Sequence, residues 1–184
     1  MESRQLASLL SNDWATSDFF RGIYNDYTVI INPIIDLNEP NVFVYLRDGH
    51  YVALIINAAG LSYYVDPLGA EPPAPLMPTI QRWASPWQAM PSTAVQSPRS
   101  SLCGLFIYYY STLICERLTA TTSPNNRPED SRRRARQRPI LDPTRRDARS
   151  NELLLQRWYD ERVGGGGGRR RGNDRRRRRG DDDR

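Results

Sequence analysis

Residues 41–66, NVFVYLRDGHYVALIINAAGLSYYVD, carry the strongest β-strand signal in the chain. β-branched and aromatic side chains favour strands, whereas Asp-Gly and Asn-to-Gly segments favour turns. The stretch therefore predicts a three-stranded antiparallel meander whose last strand ends at Pro67, Leu68 and Gly69. Its predicted strands are 42–46, 50–56 and 61–66, and its predicted turns are 47–49 and 57–60.

Apolar residues outside the meander recur mainly at helical spacing. The length of 184 residues with 39% hydrophobic residues suits one core, on which the last helix is predicted to dock. A further apolar cluster lies at 19–24. The predicted helices are a short amphipathic helix over 3–12, a broken helix between Pro78 and Pro91, a buried helix from Cys103 to Leu118, and a last helix near 151–162.

Charge divides the chain in two. Residues 1–120 hold 6 Arg and 10 acidic residues, whereas residues 121–184 hold 20 Arg and 11 acidic residues. The net charges are therefore −4 and +9, and no Lys is present. Residues 119–150 are interpreted as a solvated Arg-rich loop, and the Gly/Arg-rich tail, 164–184, is predicted to be disordered.

A net charge of +9 on flexible segments favours polyanion binding through counterion release. We expect non-specific, electrostatic contact with DNA or RNA, although the same clusters are also typical of an extension that aids solubility. The candidate nucleic-acid residues are Arg132, Arg133, Arg134, Arg169, Arg170, Arg171, Arg175, Arg176, Arg177, Arg178 and Arg179.

Composition argues against several classes of protein. The most apolar run, 102–115, is 14 residues long, shorter than the roughly 20 residues that span a bilayer. The N-terminus lacks the apolar run of a secretory signal, so a reducing compartment is expected. Cys103 and Cys115 lie about 18 Å apart along one helix, too far for a disulfide. One His and two distant Cys predict no metal site.

The only histidine, His50, begins one predicted strand, and Asp66 ends the next. Pairing the two strands symmetrically about residue 58 places these residues opposite each other. An acid at the imidazole Nδ1 would fix the tautomer and stabilise the imidazolium that a catalytic base becomes. A lone His near a strand start is more often a satisfied core or surface residue.

Cys103 begins the apolar helix and follows two potential N-cap serines, Ser100 and Ser101. The unpaired N–H groups of a helix N-terminus stabilise a thiolate, and Gly104 is predicted to leave room for a substrate backbone. Cys115, deeper in the helix, is interpreted as core. Gln96 lies seven residues before Cys103 and can donate to an oxyanion together with the Cys103 N–H.

The order of these four residues and their flanks closely resembles the adenovirus-type cysteine endopeptidases. The matching motifs are Gly49-His50-Tyr51, Val65-Asp66-Pro67-Leu68-Gly69, Val95-Gln96-Ser97-Pro98 and Ser101-Leu102-Cys103-Gly104-Leu105-Phe106. The resemblance covers most of 1–163. Tyr51 stands where the family usually has Trp, and Asp66 where Glu is commoner. No cysteine between Asp66 and Cys103 offers an anchor for a disulfide-linked peptide.

The resemblance implies an α+β, papain-related, circularly rearranged cysteine protease fold over 1–163, with a central antiparallel sheet and the nucleophile at a helix N-terminus. It assigns Cys103 as nucleophile, His50 as base, Asp66 as orienting acid and Gln96 to the oxyanion hole. It implies cleavage of viral precursor proteins in the virion and host nucleus. DNA and a short viral peptide would be activators, with no metal or small-molecule cofactor, and the enzyme is expected to be a monomer.

Two other functions stay open. Proteases of ubiquitin-like modifiers share the residue order, although the Pro-Leu-Gly after Asp66 and the interval between Gln96 and Cys103 look more like the viral branch. The second is a non-enzymatic nucleic-acid-binding virion protein whose Arg-rich end is the functional part.

Overall fold

The fold is organised around a five-stranded sheet with the order β1-β2-β3-β4-β5. The computed structural model describes residues 1–28, 34–122 and 147–164, with the backbone alone at 120–122. The helices and strands are α1 (Ser3–Asn12), β1 (Phe20–Tyr24), β2 (Asn41–Arg47), β3 (His50–Ile56), β4 (Ser62–Val65), a 3₁₀ turn (Ala74–Leu76), α2 (Met77–Trp83), β5 (Trp87–Met90), α3 (Cys103–Thr122) and α4 (Ala148–Gly164).

The centre of the sheet is the predicted antiparallel meander, and the α+β class is confirmed. Strands β2 and β3 are joined by a two-residue turn at Asp48 and Gly49, which have φ angles of 53° and 80°. Positive φ at both positions is typical of the type I′ turn that suits a twisted hairpin. The outer strands were not predicted: β1 pairs parallel with β2, and β5 pairs parallel with β4. The prediction of an antiparallel sheet is therefore wrong for the sheet as a whole, which is mixed.

The predicted pairing of β3 with β4 is wrong by two residues. The observed pairs are Ala53 with Val65, Leu54 with Tyr64 and Ile55 with Tyr63. Extending this register sets position 66 opposite position 52 rather than opposite His50. Because side chains alternate between faces with a period of two, a shift of two keeps both residues on the same face. His50 and Asp66 are therefore diagonal neighbours at one end of the sheet.

Both faces of the sheet are buried, which explains why its central strands are apolar without interruption. Along each central strand, successive residues lie on opposite faces of the sheet and so belong alternately to two separate apolar clusters. One cluster combines Val42, Val44, Ala53 and Ile55 with apolar residues of α1, α3 and α4. The other combines Phe43, Tyr45, Val52, Leu54, Ile56 and Tyr64 with Leu76, Ile80 and Ala84 of the 3₁₀ turn and α2.

The broken helix predicted between Pro78 and Pro91 is only half correct. Helix α2 ends at Trp83, and the chain then forms the edge strand β5 from Trp87 to Met90. Aromatic residues at positions 83 and 87 have helical spacing, but pairing of β5 with β4 satisfies the backbone of the second half. Tertiary pairing thus overrides the local pattern.

Helix α3 is longer than predicted and runs to Thr122, and α4 begins at Ala148. Residues 119–122 and 148–150, at the two ends of the predicted Arg-rich loop, are therefore helical. Residues 123–146 and 165–184 lie outside the described residues. Among the residues that are described, no helix is both long and apolar enough to cross a membrane.

A buried ion pair fastens α4 to the start of the chain. Arg162 donates to both carboxylate oxygens of Asp13, from Nε at 2.8 Å and from Nη2 at 2.9 Å. Tyr108 of α3 also donates to Asp13. Burial alone raises the pKa of Asp13, but hydrogen bonds from Arg162, Tyr108 and the Ala15 N–H outweigh it and hold that pKa below its usual value. Leu155 and Trp158 of α4 pack into the apolar cluster that the sheet forms with α1 and α3.

We expect Asp13→Asn to lower the free energy of unfolding by about 2–3 kcal/mol at neutral pH, because it removes the closer of the two carboxylates that pair with the Arg162 guanidinium. Glu116, the other carboxylate, lies 3.5 Å from Nη2. Since the folded-state pKa of Asp13 is lowered, its contribution is present above the unfolded-state pKa and is lost as the pH falls through the folded-state pKa. Urea denaturation at several pH values measures both effects.

The matched control is Asp160→Asn on the exposed side of α4, where the amide oxygen can still accept from Gln156. This variant should stay within about 0.5 kcal/mol of the wild type. An equal loss in both variants, or a loss in Asp13→Asn that persists unchanged in acid, would contradict the role of the ion pair.

Candidate active site

The end of the sheet where β3 begins and β4 ends brings His50 and Asp66 into contact. The distance between His50 Nε2 and Asp66 Oδ1 is 2.8 Å. The prediction placed the acid at Nδ1, but the structure places it at Nε2, so Nδ1 is left for another partner. Asp66 Oδ1 also accepts from the Leu68 N–H at 2.8 Å, which orients the carboxylate independently of the imidazole.

Cys103 lies at the start of α3, next to the imidazole of His50. Its thiol hydrogen-bonds with the side chain of His50, and in its neutral form it points to the Gly49 carbonyl at 3.9 Å. Because Nε2 of His50 is bonded to Asp66, Nδ1 is the ring nitrogen left for the thiol. Asp66, His50 and Cys103 thus form one continuous chain of hydrogen bonds.

The electrostatics of this chain favour an ion pair between thiolate and imidazolium. Hydrogen bonds to Asp66 and Cys103 raise the pKa of His50 to about 9 against the opposing effect of burial. Burial raises the pKa of Cys103, but hydrogen bonds from His50 and from the Tyr51 and Gly104 N–H groups lower it below the ordinary thiol value. A low thiol pKa beside a cationic imidazole is the condition for a nucleophilic cysteine.

Cys103 is more deeply buried than the neighbouring His50. Cys103 is only 5% exposed, whereas the side chain of His50 is 27% exposed. A Cβ on Gly104 would meet Met1 Cβ at 3.2 Å and Tyr51 Cδ2 at 3.4 Å. Gly104 therefore makes room for Met1 and Tyr51, which corrects the prediction that it leaves room for a substrate backbone.

The segment before α3 also differs from the predicted capping. Helix α3 begins at Cys103, so neither serine is the residue directly before it. Ser100 Oγ instead accepts from the Leu102 N–H at 3.3 Å, and the Leu102 carbonyl accepts from Leu105 and Phe106 of the first helical turn. Within the part of the chain that the structure describes, the Cys103 N–H has no backbone acceptor.

Gln96 is buried in the loop that leads to α3. Its Nε2 donates to the Ser100 carbonyl at 2.8 Å, which engages one of its two amide hydrogens. Its Oε1 has no hydrogen-bond partner among the described residues. Gln96 is therefore linked to the segment that carries Cys103, with one N–H left to donate, although the contact seen is with Ser100 rather than with Cys103.

The turn after Asp66 holds the Gln96 loop close to this carboxylate. The Pro67 carbonyl accepts from the Val95 and Gln96 N–H groups at 3.0 and 3.2 Å. Gly69 has a φ of +68°, and a Cβ there would lie 2.5 Å from the Ala94 nitrogen. The Asp-Pro-Leu-Gly motif thus positions the acid and, through one glycine, the loop of Gln96.

Tyr51 connects Cys103 with α1, a role that the sequence did not predict. Its N–H reaches the Cys103 sulfur, and its hydroxyl is 2.7 Å from Ser3 Oγ. Its position directly after His50 was the only signal in the sequence.

The predicted nucleic-acid residues, Arg132–Arg134, Arg169–Arg171 and Arg175–Arg179, lie outside the described residues.

Neither Cys103 nor Cys115 forms a disulfide, and the described residues contain no group of three or more His, Cys, Asp or Glu that could hold a metal. Comparison with protein-family models gives no family that matches the chain, and comparison with curated protein sequences gives no significant match. The interpretation of the site therefore depends on its geometry.

We expect iodoacetamide to alkylate Cys103 with an onset at lower pH than free cysteine, because hydrogen bonds from His50 and from the Tyr51 and Gly104 N–H groups hold its pKa below the ordinary thiol value. His50→Gln should slow this reaction at pH 7 by about tenfold or more, since the thiolate loses its cation. Mass spectrometry of peptides from the native protein, labelled over a range of pH, gives the rate at each thiol.

Cys115 is the internal control, because it is fully buried in the same helix. It should label slowly, and Cys115→Ser should leave the rate at Cys103 unchanged. Equal labelling of the two thiols in the folded protein would contradict an activated Cys103.

Proposed function

We propose that the chain is a cysteine endopeptidase with a papain-related, circularly rearranged fold, in which Cys103 is the nucleophile, His50 the general base and acid, and Asp66 its orienting acid. The observation that carries the proposal is the continuous hydrogen-bonded chain from Asp66 through His50 to the thiol at the start of α3. The mixed sheet with α3 packed on one face is compatible with this fold.

The first step is attack of the Cys103 thiolate on the carbonyl carbon of a peptide bond. The carbonyl oxygen becomes an oxyanion, for which the uncommitted Cys103 N–H and the remaining N–H of Gln96 are the candidate donors. Collapse of the tetrahedral intermediate breaks the C–N bond. His50 delivers its proton to the leaving amine, and a thioester remains on Cys103.

The second step returns the enzyme to its starting state. His50, now neutral, takes a proton from water while the water oxygen attacks the thioester carbonyl. Collapse breaks the C–S bond and releases a carboxylic acid, and the thiolate and imidazolium are restored together. Asp66 holds the imidazole throughout, so that the same nitrogen faces the sulfur in both steps.

The proposed substrates are viral precursor proteins of the capsid or core, with cleavage during virion maturation. This part rests on the four matching sequence motifs. DNA is proposed as a non-specific electrostatic partner and activator, and a short viral peptide as a second activator. A monomer located in the virion and host nucleus completes the proposal.

Cys103→Ala and Cys103→Ser should abolish cleavage of capsid or core precursor proteins, because no other described thiol contacts His50. The test incubates the full chain with these precursors, with and without DNA, and identifies the cut ends by mass spectrometry. Cys115→Ser should cleave at the wild-type rate, which controls for loss of a buried thiol.

Three results would overturn the proposal. Wild-type turnover by Cys103→Ala would show that Cys103 is not the nucleophile. Cleavage of a ubiquitin-like fusion in preference to every precursor would favour a modifier protease. DNA binding with no hydrolysis of any precursor would favour a non-enzymatic virion protein.

Deleting residues 164–184 should flatten the dependence of DNA affinity on salt, because each phosphate contact contributes a slope of about −0.9 in a logarithmic plot. Deleting only Gly180–Arg184, which removes three Asp and one Arg, is the matched control and should not flatten it. Fluorescence anisotropy with a duplex of arbitrary sequence gives both slopes. An unchanged slope in the longer deletion would contradict a role for the tail.

A further inference from the structure

The loop that carries Gln96 receives a contact from the far end of the chain. Glu152, in the first turns of α4, accepts a hydrogen bond from the Ser97 N–H through Oε1 at 2.9 Å. Ser97 directly follows Gln96, and the two partners lie 55 residues apart in sequence. A side chain of α4 thus holds the backbone next to the candidate oxyanion donor.

This contact completes the support of the loop from two sides. On one side the Pro67 carbonyl accepts from the Val95 and Gln96 N–H groups. On the other side Glu152 accepts from the next N–H along the chain. Three consecutive backbone N–H groups are therefore bound, two to the turn after Asp66 and one to α4.

The contact also continues toward the nucleophile. The Ser97 carbonyl accepts from the Ser100 N–H at 3.0 Å, and the Ser100 carbonyl accepts from Gln96 Nε2 at 2.8 Å. Ser100 Oγ then accepts from Leu102, the residue before Cys103. A displacement of Ser97 would therefore move the partner that orients the Gln96 amide, whereas His50 and Asp66 have no bond to this loop segment.

We propose that Glu152 is a positioning residue for catalysis, which fixes the Gln96 loop and so orients the Gln96 amide toward the oxyanion. The proposal rests on the proposed function and adds a residue from α4 to it. Glu152 does not touch the thiol or the imidazole. It acts on the stabilisation of the transition state and leaves the activation of Cys103 unchanged.

Glu152→Ala should lower kcat about tenfold with little change in KM, because misplacing one oxyanion donor weakens interactions made only in the transition state. Binding of a peptide aldehyde should weaken by the same factor, because its adduct with the thiol is a hemithioacetal whose tetrahedral carbon places an oxygen where the oxyanion would lie. The rate of alkylation of Cys103 by iodoacetamide should stay at the wild-type value. The substrate is the precursor peptide that the wild type cleaves fastest.

Two further variants separate positioning from simple stabilisation. Glu152→Gln keeps an acceptor oxygen and should restore most of kcat, whereas Glu152→Met keeps the length of the side chain without an acceptor and should behave like Glu152→Ala. Glu152→Met also provides the test if the alanine variant does not fold. Glu161→Ala removes the same charge from an exposed position of α4 and should leave kcat unchanged.

The outcomes distinguish the two proposals. If the wild type cleaves peptides but Glu152→Met matches Glu161→Ala in kcat, or if its alkylation rate falls along with kcat, the role of Glu152 is wrong while the protease assignment stands. If the wild type cleaves no peptide and Cys103 is not preferentially alkylated, the protease assignment itself fails.

Discussion

The Asp66 carboxylate is the point on which the geometry of the site depends. Its Oδ1 accepts from both His50 Nε2 and the Leu68 N–H, so one oxygen ties the start of β3 to the turn after β4. The Leu68 N–H holds the carboxylate in one orientation. The carboxylate, held in this way, orients the imidazole through its bond to Nε2. The second ring nitrogen is thereby left for Cys103, whose interaction with the imidazole lowers the thiol pKa.

Two parts of the fold support this site: the apolar cluster on one face of the sheet, and the turn that follows β4. The cluster with α1, α3 and α4 fixes the helix that presents Cys103, and the Asp13–Arg162 ion pair fastens α4 within it. The turn at 66–69 gives the Gln96 loop its other support, where Gly69 allows the backbone at 93–94 to approach closely. The proposed function needs both supports, because its oxyanion donors belong to the loop and to α3.

Local sequence patterns predicted the centre of the fold, and long-range pairing explains what they missed. Continuous runs of β-branched, aromatic and other apolar residues, with an Asp-Gly turn between them, specify the β2–β3 hairpin with little help from the rest of the chain. The register of β4 against β3 depends on the backbone conformation of the turn at 57–60. The residue types in this turn do not determine that conformation. Strands β1 and β5 are short and pair parallel, so their signal lies in partners distant in sequence.

The same distinction applies to the site. His50, Asp66 and Cys103 were predicted to meet because two belong to one hairpin and the third begins a helix, and the structure brings them together. The acid was assigned to the wrong imidazole nitrogen, since ring orientation is set by the final packing. Glu152 carried no sequence signal, because its partner is a backbone N–H on a distant loop.

The pKa of the His50 imidazole tests the central claim most directly, and His50 is the only histidine of the chain. NMR titration of the full chain with labelled histidine would therefore give a single imidazole to follow. The hydrogen bonds to Asp66 and Cys103 predict a pKa of about 9, with a fall toward 6.5 in Asp66→Asn. A wild-type imidazole that titrates near 6.5, or one that Asp66→Asn leaves unchanged, would contradict the coupling of Asp66, His50 and Cys103.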